Sequence, residues 1–301
     1  MKQRRSSLRR PSPWKRELKE LAGGASGGFL FGIPLLYTLE VWSIGSYVQP
    51  PILLAVLGLT FVAIFLLNQV EGFRRSRRSS LLDAAAESVE AIALGLICAT
   101  AILVLLQRIT PTTSLMESLG KIVFETIPFA VGVTLSQVIL SGEPQFQTKA
   151  ESQKKMQTSH PKVIRNSFNF LETFTDLSAT VIGALIIGFS IAPTDEVSLL
   201  AAPTSPPWLL AIMGTSLLIS YSIVFTSGFT DQSKRQQQKG IFQHPLAETV
   251  FSYLVALIMS ALMLWFFQRL SFQDPFLLWI RQTIILGLPA SIGGAAGRLA
   301  V

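Results

Sequence analysis

The sequence predicts an all-α fold, a polytopic membrane helix bundle of about eight transmembrane helices built from two parallel four-helix repeats. Three observations carry this prediction. Of the 301 residues, 50% are hydrophobic and only 14% are charged, whereas soluble domains carry roughly 25% charged residues. Eight apolar segments approach the ~20 residues that a membrane-spanning helix needs. The second half of the chain repeats Gly, Pro and charged residues of the first half at a nearly constant spacing.

The eight apolar segments alternate with polar connections. They cover residues 21–44, 52–70, 84–106, 122–140, 177–192, 208–228, 246–267 and 276–299. A mean hydropathy of +0.48 for the whole chain agrees with many membrane spans. Because Arg281 lies near one end of the last segment, seven spans is the alternative count if that segment inserts only partly.

The connections divide the chain into four parts. Residues 1–20 form a basic cytoplasmic tail that is predicted to be disordered, because it combines Arg, Ser and Pro with few apolar residues. The first four-span repeat covers 21–140 and the second covers 173–301, and a polar cytoplasmic linker at 141–172 separates them. An Arg- and Ser-rich start is also typical of a transit peptide, but a tail that sets the topology is the favoured interpretation.

The Lys and Arg residues follow the positive-inside rule. All but four of the 25 lie in alternate connections, which share one side of the membrane; the four on the other side are Arg108, Lys121, Arg269 and Arg281. This bias predicts that both termini are cytoplasmic, in a cell inner membrane or alternatively a thylakoid membrane. Nucleic acid is not an expected partner, since the basic residues lie between apolar segments instead of on one face.

A run of basic residues follows the second segment, at the predicted cytoplasmic surface. It consists of Arg74, Arg75, Arg77 and Arg78. Besides setting the topology, each such charge attracts anionic lipid headgroups with about 1 kcal/mol. The predicted partners are therefore the lipid bilayer and anionic lipid at its cytoplasmic face.

The internal repeat rests on residues that apolar segments rarely match by chance. At a spacing of 156 residues the pairs are Gly32 and Gly188, Glu40–Val41 and Glu196–Val197, and Pro50–Pro51 and Pro206–Pro207. At a spacing of 161 they are Glu87 and Glu248, Gln107–Arg108 and Gln268–Arg269, and Pro128 and Pro289. Each half holds four spans, an even number, so both halves insert with the same orientation around a pseudo-two-fold axis along the membrane normal.

Two repeat-equivalent acids, Glu87 and Glu248, lie about one turn inside the predicted cytoplasmic ends of their helices. They are candidates for a cation or proton site between the halves, because an acid within a span is a functional hypothesis. The alternative is that each carboxylate favours the positive end of its helix dipole. For Glu87, pairing with the basic run is a further alternative.

Three more acids complete the candidate ion or proton site. Glu90 and Glu125 have no acidic counterpart in the second half, and Glu125 precedes the helix-breaking Pro128 by three residues. Glu125 could instead pair with Lys121 one turn away, or lie exposed to water near the outer surface. Glu40 lies near the outer end of the first span, either as an interfacial acid in an aromatic belt or in an outer vestibule.

Several kinds of chemistry are not expected. The single cysteine, Cys98, excludes an internal disulfide, and the two His residues have no second ligand at a suitable spacing, so no metal site is predicted. The sequence lacks G-x-S-x-G, H-E-x-x-H and Walker patterns, so neither an enzyme nor a cofactor is predicted. Clustered glycines such as Gly24 and Gly28 are expected to allow close helix packing.

The run ELAGGASGGFLFGIPLLYTLEVW at 20–42, followed by GFRRSRR at 72–78, resembles a bacterial family of multi-pass integral membrane proteins known from cyanobacteria among others. The G-x-P-L-L-Y-T-x-E-V-W part at 32–42 is the most specific. The resemblance implies a bacterial membrane protein and no assigned activity, so it assigns no functional residues.

Two functional hypotheses follow. The first is a small transporter or channel-like protein for a cation or proton, because the repeat accompanies acids in or near spans. The alternative is a structural or assembly factor that binds other membrane proteins through its Gly-rich helix faces and basic loops. Either could involve a homo-oligomer or a membrane-protein partner.

Overall fold

The computed structural model describes residues 13–75, 81–141, 165–226 and 245–300, and every regular element in these ranges is helical. In chain order the helices are α1 (Pro13–Leu36), α2 (Leu39–Tyr47), α3 (Pro50–Arg75), α4 (Leu81–Leu105), α5 (Leu115–Ser141), α6 (Arg165–Ile191), α7 (Glu196–Ala201), α8 (Pro206–Tyr221) with a π-helical turn at Ser222–Thr226, α9 (Pro245–Phe266) and α10 (Phe276–Leu299).

Within the described residues, six helices are long and apolar enough to cross a membrane: α3, α4, α5, α8 with its π-helical turn, α9 and α10. The bent pair α1–α2 raises the number to seven if it counts as one span. The predicted all-α membrane bundle is therefore confirmed, but not the count of eight. Helices satisfy every backbone hydrogen bond internally, which is why apolar segments of this length adopt them in a bilayer.

The structure has fewer spans than predicted because the first and fifth predicted spans are not single helices of full length. The last predicted span is long and apolar enough to cross a membrane, although it contains Arg281. The apolar part of α6, Thr175–Ile191, is shorter than a full span. The predicted first span, 21–44, is not one helix, because α1 and α2 meet at an angle of 89°. The helices α1 and α6 also begin earlier than predicted, inside the predicted tail 1–20 and linker 141–172.

Side chains satisfy the carbonyls that are freed where α1 ends. The Thr38 hydroxyl donates to the Leu35 carbonyl at 2.8 Å, and the Trp42 indole N–H donates to the Leu36 carbonyl at 2.6 Å. Thr38 itself has extended backbone angles. A helix can break within an apolar region only if such partners replace the lost backbone bonds, and Pro34, two residues before the end of α1, is the sequence feature that favours the break.

The two halves of the chain pack their helices in the same pattern. In the first half, α5 contacts the four helices α1, α2, α3 and α4. In the second half, α10 contacts α6, α7, α8 and α9, which are the repeat equivalents of those four helices. The pairs α1 with α4 and α3 with α4 likewise have the counterparts α6 with α9 and α8 with α9. The last helix of each half is therefore the centre of its own bundle.

Matching hydrogen bonds occur at the two sequence spacings. The Arg108 amide donates to the Leu103 carbonyl, and the Arg269 amide donates to the Leu264 carbonyl, each at 2.8 Å. The residues that precede these arginines, Gln107 and Gln268, have positive φ angles of 55° and 58°. Many helices end with a residue in this left-handed conformation, but that residue is usually glycine. The two halves therefore share a conformation that is unusual for glutamine, at equivalent positions.

Close glycine contacts hold α1 to α5 and α6 to α10. A Cβ atom at Gly27 would lie 2.5 Å from the Gly132 carbonyl oxygen, and one at Gly183, its repeat equivalent, would collide with the Gly293 carbonyl oxygen. The small residues predicted to pack helices therefore do so within the chain, where the backbones come into direct contact.

Replacing Gly183 by alanine is expected to destabilise the protein by about 1–3 kcal/mol, because backbone atoms that cannot rotate away must shift. Gly214→Ala is the matched control, since a Cβ there meets nothing within 4 Å and alanine favours a helix by about 0.5–1 kcal/mol over glycine. Thermal unfolding of the detergent-solubilised variants measures both effects. Equal midpoints for the two variants would contradict the close α6–α10 contact.

Candidate functional site

The five glutamates of the predicted ion site occupy very different environments. Glu125 on α5 is fully buried, and Glu248 on α9 is half-buried. Glu40 on α2 and both Glu87 and Glu90 on α4 are exposed. In the described part of the chain, α4 and α9 do not form a packed pair. Glu87 and Glu248 are thus placed on helices that lack a shared interface, and Glu125 is the candidate with the environment of an internal site.

Glu125 lies in α5 between a residue that contacts α2 and one that contacts α1. Five residues before it, Gly120 contacts the backbone of Gly45 in α2. One turn after it, the Phe129 ring lies against Gly32 of α1. Because residues four apart share a helix face, Glu125 shares the face of Phe129. It therefore lies on the side of α5 that packs against α1 near Gly32, four residues before α1 ends.

Both carboxyl oxygens of Glu125 are buried and have no hydrogen-bond partner among the described residues. A buried polar group without a partner costs about 1–3 kcal/mol, and a buried unpaired charge costs more. The neutral, protonated carboxyl is the form that such an environment tolerates best. Among the five glutamates, Glu125 is therefore the strongest candidate for a functional acid.

Lys121 does not pair with Glu125, although the two lie one turn apart. The Lys121 ammonium contacts the Glu117 carboxylate at 2.5 Å and donates to the Arg108 carbonyl at 3.0 Å. The alternative explanation of Glu125 as half of an ion pair is therefore not realised. Lys121 instead ties the start of α5 to the loop that follows α4.

Glu196 is a buried acid whose part in the bend was not expected. Its side chain belongs to a residue only 8% exposed, and its Oε1 accepts a hydrogen bond from the Leu39 amide at 3.3 Å. Leu39 is the first residue of α2, so this carboxylate favours the positive end of the α2 dipole. The repeat match with Glu40 points to Glu196 in the sequence, but not to this hydrogen bond. Glu40 is exposed, and of the two acids only Glu196 joins the two halves.

In each half, an arginine contacts the junction between the first long helix and the short helix that follows it. The Arg108 guanidinium lies 5.1 Å from the centre of the Trp42 ring, and Arg269 contacts both the Asp195 carboxylate at 2.6 Å and the Pro193 carbonyl. Burial lowers the pKa of Arg108 from its usual value, but an arginine side chain remains charged in proteins. These residues fix the geometry of the junctions between α1 and α2 and between α6 and α7.

Buried polar contacts also cross between the halves beside the bend. The Tyr37 hydroxyl donates to the Ile285 carbonyl of α10 at 2.6 Å, and the Trp208 indole N–H donates to the Leu105 carbonyl. Carbonyls within helices are normally occupied by their own helix, so no sequence pattern identifies these acceptors. The Tyr37 contact anchors the α1–α2 junction to the second half, and the Trp208 contact joins α8 to the end of α4.

Glu248 forms a buried ion pair with Arg298 of α10. The arginine is 2% exposed, and besides Glu248 it contacts the Ser252 hydroxyl at 3.1 Å and lies 5.7 Å from the Phe225 ring centre. An acid whose charge is balanced in this way serves the packing of α9 on α10. The position that corresponds to Arg298 in the first half is occupied by Gln137, so the repeat equivalent Glu87 has no arginine at the matching position.

The predicted lipid-contacting arginines fall at the edge of the described chain. The helix α3 ends at Arg75, one residue after Arg74, whereas Arg77 and Arg78 lie outside the described residues.

An apolar groove of about 420 Å³ lies between α1, α6 and α10 and is lined by residues such as Leu30, Ile186 and Ile292. None of the five glutamates lines this groove, so the groove is separate from the predicted ion site.

A bundle with six or seven apolar helices of membrane-spanning length defines an integral membrane protein embedded in a lipid bilayer. The chain belongs to the family DUF2391, whose description is "Putative integral membrane protein", with residues 20–301 matched. Curated proteins and solved structures give no match to the chain.

Proposed function

We propose that this membrane protein moves protons, or another small cation, across the bilayer and that the Glu125 carboxyl takes up and releases the transported ion. The observation that carries this proposal is the full burial of Glu125 within α5 without a hydrogen-bond partner among the described residues. Acids in membrane spans commonly mark ion and proton pathways. A carboxyl left unpaired at the cost of stability needs a reason of this kind.

The proton is the favoured ion. A bound metal cation requires several oxygen ligands, as the six or more of calcium illustrate. In the described part of the chain no group of three or more His, Cys, Asp or Glu residues could hold a metal ion. The nearest hydroxyl on the same helix, Thr126, donates to the Ile122 carbonyl at 2.7 Å. One carboxyl is sufficient to carry a proton.

We propose that the bend between α1 and α2 gives this site a route to the outer side. Transporters often place their ion sites where helices are interrupted, because freed backbone groups there line a cavity. Glu125 lies on the same face of α5 as Phe129, which packs against Gly32, four residues before α1 ends. We propose that small movements of α2 against α5 open this route.

We further propose that the two halves are parallel four-helix repeats of one ancestral unit. The matching helix contacts, the caps at Gln107 and Gln268 and the glycine contacts of Gly27 and Gly183 support this. The positive-inside distribution supports cytoplasmic termini and a bacterial inner membrane. Eight crossings would require α1 and the short apolar part of α6 each to complete a span.

The alternative, an assembly factor for other membrane proteins, has less support. It relied on glycine-rich helix faces and basic loops as partner surfaces. Gly27, Gly132, Gly183 and Gly293 instead contact one another within the chain. Close glycine contacts of this kind serve internal packing, so they do not supply the surface that this function needs.

Proton movement can be tested with purified protein in liposomes that contain a pH-sensitive dye. An imposed potential should drive dye-detected proton flux with the wild type, and Glu125→Gln should reduce the flux at least tenfold, because an amide cannot exchange a proton at this pH. Glu90→Gln is the matched control, since it removes an exposed acid from a neighbouring helix and should leave the flux within about twofold.

Flux that persists in Glu125→Gln would overturn the role of Glu125. Wild-type protein that carries no proton, sodium or potassium current across a range of potentials would overturn the proposal as a whole. Circular dichroism of the reconstituted variants establishes that each remains helical.

A further inference from the structure

The contacts between the two halves are one-sided. The first half uses α1 and α4 to contact α8, its π-helical turn and α10 of the second half. A two-fold arrangement would also require α6 and α9 to contact α3 and α5, and among the described residues these pairs make no comparable contact. A contact between different surfaces of equivalent units is heterologous, and it leaves one unused surface at each end.

The unused surface of the second half is an apolar groove of about 460 Å³ between α6 and α9. It is lined by Leu185, Ile186, Phe189, Met263 and Phe266. At the repeat spacings these correspond to Phe29, Leu30, Ile33, Ile102 and Leu105. All five counterparts belong to or pack against the core that the first half shares with the second.

Three side chains of this groove, Ile186, Phe189 and Phe266, are exposed. Their counterparts Leu30, Ile33 and Leu105 are half-buried or buried. Phe189 and Phe266 are 58% and 61% exposed. Ile33, the counterpart of Phe189, is 0% exposed. The same surface is therefore covered in one half and open in the other.

The unused surface of the first half lies on α3, whose apolar stretch is the least buried of the six candidate spans. Ile52 and Leu66 are 51% and 55% exposed there. Their repeat equivalents, Trp208 and Ser222, contact the first half through the Leu105 carbonyl and the Ser26 hydroxyl. In the second half, the surface of α8 and its π-helical turn is covered by α1 and α4. The equivalent surface of α3 in the first half is exposed.

We propose that the groove between α6 and α9 of one molecule docks onto the α3 surface of a second copy of this chain, repeating the contact that joins the two halves. The proposal rests on the internal repeat. In the docked pair, Phe266 meets Ile52 where Leu105 meets Trp208 within the chain, and Ile182 meets Leu66 where Ser26 meets Ser222. Ile182 is 57% exposed, so both pairs bring together open apolar side chains.

Continued head-to-tail contacts of this kind close into a ring or extend as a row. The occupant is a second copy because the chain already contains the complementary surface, with polar contacts replaced by apolar ones on both sides. An apolar exchange of this kind suits an interface formed inside a membrane, where close packing drives association.

Disulfide cross-linking tests the interface, because the chain has a single cysteine, Cys98, which Cys98→Ala removes. Two differently tagged full-length chains, one with Phe266→Cys and the other with Ile52→Cys, are co-expressed and oxidised in membranes. A disulfide-linked product that carries both tags is expected. Ile182→Cys with Leu66→Cys is a second pair, and it should give the same product.

Each single-cysteine variant on its own should give no dimer, because the contact joins different surfaces. The matched control combines Phe266→Cys with Leu54→Cys. Leu54 is 70% exposed and its equivalent Leu210 is 69% exposed, so this position faces lipid in both halves. The proposal is overturned if neither designed pair cross-links more than the control pair, or if the single variants cross-link as well as the mixtures.

Discussion

Replacing Glu125 by leucine is expected to raise the stability of the protein by about 1–3 kcal/mol, because it removes a buried polar group that has no partner among the described residues. The repeat-equivalent residue in α10, Leu286, is 0% exposed, so an equivalent site accommodates leucine. The same variant should carry no proton flux. A midpoint of thermal unfolding higher than that of the wild type, measured in detergent, is the expected result.

Glu125→Gln is the control for this stability effect, since it removes the titrating group but keeps a polar side chain in the same place. Its midpoint should lie closer to that of the wild type, because the amide also lacks partners. A midpoint for Glu125→Leu well below that of the wild type would contradict the account, as it would mean that the carboxyl contributes to the fold. Gain of stability with loss of activity is the usual signature of a functional residue.

Replacing Glu248 by alanine is expected to destabilise the protein by about 3 kcal/mol, because it removes the carboxylate partner of a buried guanidinium. Arg298 is 2% exposed and would keep the Ser252 hydroxyl at 3.1 Å as a neutral partner. The side chain of Glu248 is itself 28% exposed. The expected loss therefore lies at the lower end of the roughly 3–5 kcal/mol lost when one partner of a buried ion pair is removed. Thermal or denaturant unfolding in detergent measures this loss.

Glu87→Ala is the matched control, because Glu87 occupies the equivalent position in the first half but is exposed. Its effect should stay within about 0.5 kcal/mol. Combining Glu248→Ala with Arg298→Gln should recover most of the lost stability, since glutamine occupies the equivalent position 137 and leaves no buried charge. If the double variant is no more stable than Glu248→Ala alone, the ion pair is not the cause.

The sequence predicts the helices well because their signal is local. Apolar stretches of this length must be helical in a bilayer, and the matches at two spacings point to equivalent halves. A kink at Pro34 is predicted for the first span, but a break into two helices is not. Pro34 favours a kink, but the 89° bend also depends on the Gly45–Gly120 contact and on the Trp42 indole, which involve other turns of the chain.

The environments of the acids depend on contacts between helices that are distant in sequence. Glu125 and Lys121 have the spacing of an ion pair, yet Lys121 is engaged by Glu117 and the Arg108 carbonyl. Glu248 finds Arg298 only because α9 packs on α10. Spacing along one helix determines which groups can meet, but competition from neighbouring elements determines which of them do.

Proton exchange at Glu125 is the central claim, and infrared difference spectroscopy of the reconstituted protein tests it most directly. When the pH is raised, the wild type should lose the carbonyl stretch of one protonated carboxyl and gain carboxylate bands. Glu125→Gln should lack this change, whereas Glu90→Gln should retain it. A difference band that is the same in the wild type and in Glu125→Gln would contradict the claim.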